Sequence, residues 1–312
     1  MGTKNNTFFT NSIVVSCLAL FCCALWGSAT PFIKIGYELI LPVKDTASTI
    51  LFAGMRFSIA GCLTVIIYSV ARRKFLIPKR ENVGRIMSVC LFQTVLQYMF
   101  FYIGLSNTSG VKGTVLSGAS AFFALLVAAL IFKQEKLTVL KVVACIIGFA
   151  GIIVVNLKGL DLNMNFIGDG FVLFSAMSSA MSTCLMKRVS KHEDPVIISG
   201  YQFMAGGLVM VGIGLVFGGN VSLVSFASVG VLVYLASLSA IAYALWGMLL
   251  KHNPVSKISI YSFMIPVFGV LLSELILTED SNVSYINLAI TLVLVSVGII
   301  LINYQKNKSN SV

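Results

Sequence analysis

The sequence predicts an all-α polytopic membrane protein: ten transmembrane helices arranged as two inverted five-helix repeats. Three observations carry this. Of the 312 residues, 58% are hydrophobic and only 11% are charged, with a mean hydropathy of +0.96; a water-soluble domain carries about 25% charged residues. The apolar residues are gathered into runs of about 20, the length that crosses a bilayer as helix. Residues 111–156 also read like a copy of residues 255–303.

Each copy holds a long apolar segment, a Glu at its end (Glu135, Glu279), a short polar turn and a second apolar segment. That segment closes on GIIVVN, from Gly151 to Asn156, or on GIILIN, from Gly298 to Asn303. The Glu-to-Asn spacing is three residues longer in the second copy, an insertion in the turn. Upstream, Gly54-Met55-Arg56-Phe57 with Gly61 is echoed by Gly200-Tyr201-Gln202-Phe203 with Gly207. Self-similarity on this scale means two structural halves, expected at 14–156 and 167–304 and joined by the polar stretch 158–166.

Ten spans are expected in order at 13–36, 48–71, 84–106, 109–132, 138–156, 167–187, 196–217, 228–250, 256–278 and 284–304. The short connections make sequence neighbours antiparallel. The words before Cys17 loosely resemble a lipoprotein cleavage site, but the apolar run ahead of it is too short and Lys4 alone makes a poor basic leader. An uncleaved first span is expected. Orientation follows from the loop lysines and arginines. With the N-terminus in the cytoplasm, seventeen of the 22 fall in inside segments, and only Lys34, Lys44, Lys112 and Lys158 fall outside. Both termini are then cytoplasmic in a multi-pass protein of the cell membrane. Five spans per half is an odd number, so the second half enters with the opposite sense. Inverted repeats of this kind enclose a site near mid-depth at their interface.

The other bulk features exclude rather than suggest. A net charge of +11 does not indicate nucleic acid, because the basic residues sit in short clusters between apolar runs. The seven cysteines lie in apolar segments with no CxxC and read as small buried hydrophobes. His192 and His252 fall near short connections. No metal site, cofactor or enzymatic constellation is expected.

The pattern resembles the EamA-type members of the drug/metabolite transporter superfamily. The matching words are Trp26-Gly27 with Pro31 and Lys34, Arg56-Phe57, Glu135-Lys136-Leu137 and the Gly151/Asn156 ending, then Pro266, Glu279, Gly298 and Asn303. The resemblance runs from about residue 14 to 304. It implies a ten-helix fold in the plasma membrane and movement of small metabolites. The chain departs from it with Phe122 where the ninth span has Pro266, and with Ser179 where the first half has Trp26.

Arg56 is the sharpest single signal. It lies about 12 Å into the second span at 1.5 Å per residue, where a charge is costly and usually faces a cavity or a partner. Two readings stand: a structural bond to backbone carbonyls, or a pocket group for an anion or carboxylate. Its counterpart Gln202 is polar but neutral. Gln93 and Gln97 share a face of the third span, either as interhelical bonds or as substrate contacts. Tyr98 and Tyr102 beside them suit packing. Trp26 is a candidate wall on the outer side. Tyr243 and Trp246, with Gln202 and Tyr261, form the candidate mirror cluster nearer the cytoplasm. Glu274 is a candidate partner for Arg56 or proton carrier, or else an interfacial residue. Glu135 and Glu279 suit capping of the helix that begins next. Small residues such as Gly113, Ser117 and Gly118 in the fourth span, and Gly206, Gly207 and Gly212 in the seventh, allow close packing and sliding.

Together these features predict a secondary transporter, an exporter or exchanger, of a small polar or amphipathic metabolite such as an amino acid. It would work by alternating access between the two halves, driven by a proton or a counter-substrate. A passive channel, distinguished by single-channel current, and a non-transporting scaffold or sensor remain as alternatives. Monomer and homodimer are both compatible with the sequence.

Overall fold

The computed structural model describes residues 8–157, 163–277 and 285–309. Ten helical segments follow one another: α1 (Ser12–Ile40), α2 (Thr46–Ala71), α3 (Arg80–Leu105), α4 (Gly110–Ile131), α5 (Val139–Val155), α6 (Phe171–Val189, entered through the wide turn Phe166–Gly170), α7 (Pro195–Val216), α8 (Phe226–His252), α9 (Val255–Leu277) and α10 (Tyr285–Ser309). Eight of them are long and apolar enough to span a membrane; α5 is a shorter apolar helix. The expected spans match in order and differ by a few residues at their ends. Polar side chains set the starts. Asn11, Asp45, Ser109, Asp194 and Ser225 each accept a first-turn N–H, at α1, α2, α4, α7 and α8 respectively, which satisfies donors that no helix can bond internally. Pro195 occupies the first turn of α7, where its missing N–H costs nothing.

The helices pack as an inverted repeat. α2 lies on its counterpart α7, and α5 on its counterpart α10. Both pairs run antiparallel. Gly54 faces Gly207 and Gly61 faces Gly200 in the first pair, while Gly151 faces Thr291 and Gly298 faces Ala144 in the second. The remaining contacts come in matched sets. α1 packs on α8 and α9, and α6 on their counterparts α3 and α4.

That pattern alters the picture drawn from the repeat. The units flanking the centre are not the two halves. They are two three-helix bundles, α1–α8–α9 and α3–α4–α6, each drawn from both halves. The α2–α7 and α5–α10 pairs lie on the symmetry axis between them. The ends of the molecule differ too. At the end holding the α2–α3 loop, the first turns of α9 pack on α4 and α6. Ties there also include Glu193 in the α6–α7 loop, which accepts the Lys79 N–H (3.0 Å) and the Asn82 amide (3.2 Å). Burial pushes its carboxyl up, but these hydrogen bonds outweigh that and hold it below its ordinary value. At the α3–α4 end, Lys112 and Asp169 form a buried ion pair at 2.6 Å between α4 and α6, and Thr108 donates to the same carboxylate.

The α2–α7 seam sets a test. A Cβ at Gly61 would lie 2.6 Å from the Gly200 carbonyl oxygen, whereas one at Gly212, also on α7, meets nothing within 4 Å. Gly61→Ala is expected to lower stability in detergent by about 1–3 kcal/mol. Gly212→Ala should be neutral or stabilising by up to about 1 kcal/mol. Thermal unfolding of the two variants side by side checks both; equal melting temperatures would contradict the seam.

Candidate functional site

Between the two bundles lies a cavity of about 670 Å³, a size suited to a small organic molecule. Its lining runs from Lys34, Leu105 and Gly110 at the α3–α4 end to Met186, Leu250 and Ser259 toward the other. Among the described residues, three sets of hydrogen bonds join the bundles. Glu135 at the end of α4 accepts the Ser256 N–H (2.8 Å) and hydroxyl (2.5 Å) from α9. Lys187 of α6 donates to the carbonyls of Leu250 (2.9 Å) and Asn253 beside α8. Higher up, the hydroxyls of Tyr98 and Tyr243 meet at 2.6 Å. The first two sets close the α2–α3 end. Tyr261 is held within its own bundle and by the axial pair, bonding Ser16 of α1 at 2.6 Å and Asn303 of α10 at 3.2 Å. Its repeat counterpart Ser117 and the Asn303 counterpart Asn156 instead line the cavity. The same repeat positions are therefore bonded at one end and open to the cavity at the other.

Arg56 enters the cavity from α2 with only 4% of its surface exposed. Its Nε donates to the Leu235 carbonyl (3.2 Å) and the Ser239 hydroxyl (3.1 Å), and Nη2 donates to the same hydroxyl (2.9 Å). Ser239 donates its own O–H to the Leu235 carbonyl at 2.9 Å, which leaves its lone pairs for the guanidinium. The Phe57 ring lies 5.2 Å from Arg56 Cζ. Every partner is neutral. Among the described residues no carboxylate pairs with Arg56, and Glu274 in particular does not.

The other expected site residues divide. Trp26, Gln93, Gln97 and Tyr243 line the cavity with Arg56, as does Trp246. Trp26 stands edge-on to Tyr243 and to Trp246, both with centroids 5.0 Å away. Among the described residues its indole N–H has no hydrogen-bond partner, and neither has the side-chain oxygen of Gln93. Gln93 sits in a π-helical turn, Leu91–Leu96, a widening that often marks functional positions in a helix. Tyr98 and Tyr102 face the cavity instead of serving only as packing.

Gln202 stands apart. It is fully buried and accepts from Thr94 at 2.6 Å, bonding α7 to α3. The repeat places it on the α2–α7 seam, but rotated away from the space that Arg56 enters. Tyr261 is also absent from the lining, being held by Ser16 and Asn303. Glu274 is half-buried on α9 next to the lining residue Ser273. Glu135 caps α9, at Ser256, rather than α5, the next helix in sequence. Its Oε2 also takes Lys141 at 2.6 Å. Glu279 lies outside the described residues. The sequence reading overlooked the hydroxyl face of α6, where Ser175, Ser179 and Ser182 line the cavity; their i, i+4, i+7 spacing was the available signal.

Comparison with known proteins follows the same outline. The EamA-like transporter family matches residues 14–157 and 166–304. The chain is 25% identical to the uncharacterised transporter YvbV of Bacillus subtilis, covering 92% of this chain and 90% of that protein. It is 26% identical to the uncharacterised transporter sll0355 of Synechocystis, covering 90% and 87%. A chloroplastic WAT1-related protein of Arabidopsis thaliana is 25% identical, over 90% of this chain and 67% of that one. One solved crystal structure superposes with a TM-score of 0.73 at 16% identity, covering 91% of this chain and 96% of its own, a likeness of fold.

The tyrosine pair is open to a double-mutant cycle. Tyr98→Phe or Tyr243→Phe alone strands a buried hydroxyl and is expected to cost about 1–3 kcal/mol, while the double Phe variant recovers most of that. Unfolding in detergent measures it; strictly additive losses would contradict the bond.

Proposed function

Because the chain belongs to the EamA-like transporter family, and is thus a multi-pass membrane transporter, we propose that it is a secondary transporter of the cell membrane. It moves a small polar or amphipathic metabolite, such as an amino acid, by alternating access, as an exporter or exchanger. The repeat units are residues 14–156 and 167–304, and the cavity between the bundles is the substrate site.

The observation that carries the reading is a cavity reaching one end of the molecule while the bundles are tied at the other. A channel would need a path past both ends. The ties that close the α2–α3 end, Glu135 to Ser256 and Lys187 to the α8 terminus, are few and polar. Within the site, Arg56 is the fixed charge, Gln93 and Gln97 supply adaptable amides, and Trp26, Tyr243 and Trp246 form an aromatic wall. Glu274 is the candidate proton carrier, and counter-exchange is the other drive.

Reconstituted protein should give saturable substrate flux, which Arg56→Ala lowers at least tenfold while membrane insertion stays normal. Unchanged flux would remove Arg56 from the site. Flux insensitive to an imposed pH gradient would remove the proton drive and leave exchange. Both termini and the 72–85 loop are assigned to the cytoplasm. An impermeant thiol label applied outside intact cells should therefore modify Ser109→Cys, with the native cysteines replaced, and spare Arg80→Cys. The reverse pattern would invert the topology.

A further inference from the structure

The charges around the cavity narrow the substrate beyond a small polar metabolite. Among the described lining residues there are two cations, Arg56 and Lys34, and no carboxylate. A guanidinium offers five N–H donors and no acceptor. Arg56 uses one N–H on Nε and one on Nη2, both toward neutral oxygens, which leaves three without a protein acceptor. The buried Trp26 indole N–H likewise has no acceptor among the described residues. A buried charge without a counter-ion costs several kcal/mol, and no described residue provides one for Arg56.

We infer that the counter-ion is the substrate itself: the cavity takes an organic monoanion, a carboxylate on a flat apolar body, in preference to neutral, zwitterionic or cationic molecules. This rests on the proposed transport site and replaces the zwitterionic amino acid named there as an example with an organic monoanion. The carboxylate accepts from the free N–H groups of Arg56, as charge-assisted bonds that match its fork geometry. The apolar body lies against the aromatic wall of Trp26, Tyr243 and Trp246. An ammonium group on the same body would meet no carboxylate among the described lining residues and would stand against the field of Arg56. The one positive charge of Arg56 matches one negative charge on the ligand.

The chain carries its own reporter. Its only two tryptophans, Trp26 and Trp246, both line the cavity, so intrinsic emission of the purified full-length protein reads occupancy directly. Phenylacetate and cinnamate should perturb it, each binding at least tenfold more tightly than its own amide. 2-Phenylethylamine and phenylalanine should bind more weakly than phenylacetate. Arg56→Gln, checked for unchanged melting and monodispersity, should bring acid and amide within about twofold, while Arg56→Lys should keep part of the preference. Should Arg56→Gln fail to fold, the acid-over-amide order in the wild-type protein decides alone. Amides or amines binding as tightly as the acids, no response to any of the acids, or a preference that survives Arg56→Gln would each overturn the inference. Flux separates the two levels. Transport of amines but not acids defeats the anion assignment and leaves the transporter reading. Tight acid binding with no flux of any compound defeats the transporter reading and leaves the anion site.

Discussion

The structure depends on two helices lying backbone to backbone. At the α2–α7 crossing, Gly54 meets Gly207 and Gly61 meets Gly200, and no larger side chain fits between them. Because these are counterparts in an inverted repeat, the crossing is antiparallel and coincides with the pseudo-twofold axis. The stacked rings of Phe57 and Phe203, 5.1 Å apart and nearly parallel, repeat the same symmetry one residue beyond Arg56 and Gln202. Small residues at a membrane interface allow this approach, since packing and not water drives association there. With α5–α10 forming the second axial pair, the flanking helices have no place except in two bundles, each taking helices from both halves.

This arrangement explains where the site's charge sits. Arg56 rises from the axial pair and is bonded to α8 through Leu235 and Ser239. A cation on a rocking bundle would be carried toward lipid or toward closure in every cycle. Under the proposed alternating access, a cation on the axis would keep its depth while the surroundings change. Its neutral partners hold its geometry without cancelling its charge, and that is what leaves it available to a ligand. The polar ties between the bundles lie off the axis. Each is a small set of hydrogen bonds worth about 0.5–1.5 kcal/mol apiece net, or somewhat more where charged groups take part, so each set is strong enough to bias a closed end and weak enough to break.

Much of this was legible in the sequence. Ten spans, their repeat, and Arg56, Trp26, Gln93, Gln97 and Tyr243 as cavity residues follow from hydropathy, self-similarity and the cost of polar groups in lipid. What escaped was set by three-dimensional exchange between halves. Gln202 shares a repeat position with Arg56, yet the inverted pairing turns it toward Thr94 and α3. Glu135 precedes α5 in sequence and still caps α9, because the bundles interleave at that end. The Ser175–Ser179–Ser182 face of α6 drew no notice until a cavity lay against it. Periodicity says which residues share a face; it does not say which face of another helix will meet them.

The central claim is that two bundles of mixed parentage rock about a fixed glycine-sealed column. Pulsed spin-label distances across both ends test it most directly, with one pair at Glu38 and Gly110 and the other at Lys191 and Lys251, compared with and without a transported ligand. The account predicts opposite changes, the first distance shortening as the second lengthens, while a pair on α2 and α7 stays constant. Distances that move in the same direction at both ends, or a separation between α2 and α7 that follows the ligand, would contradict it.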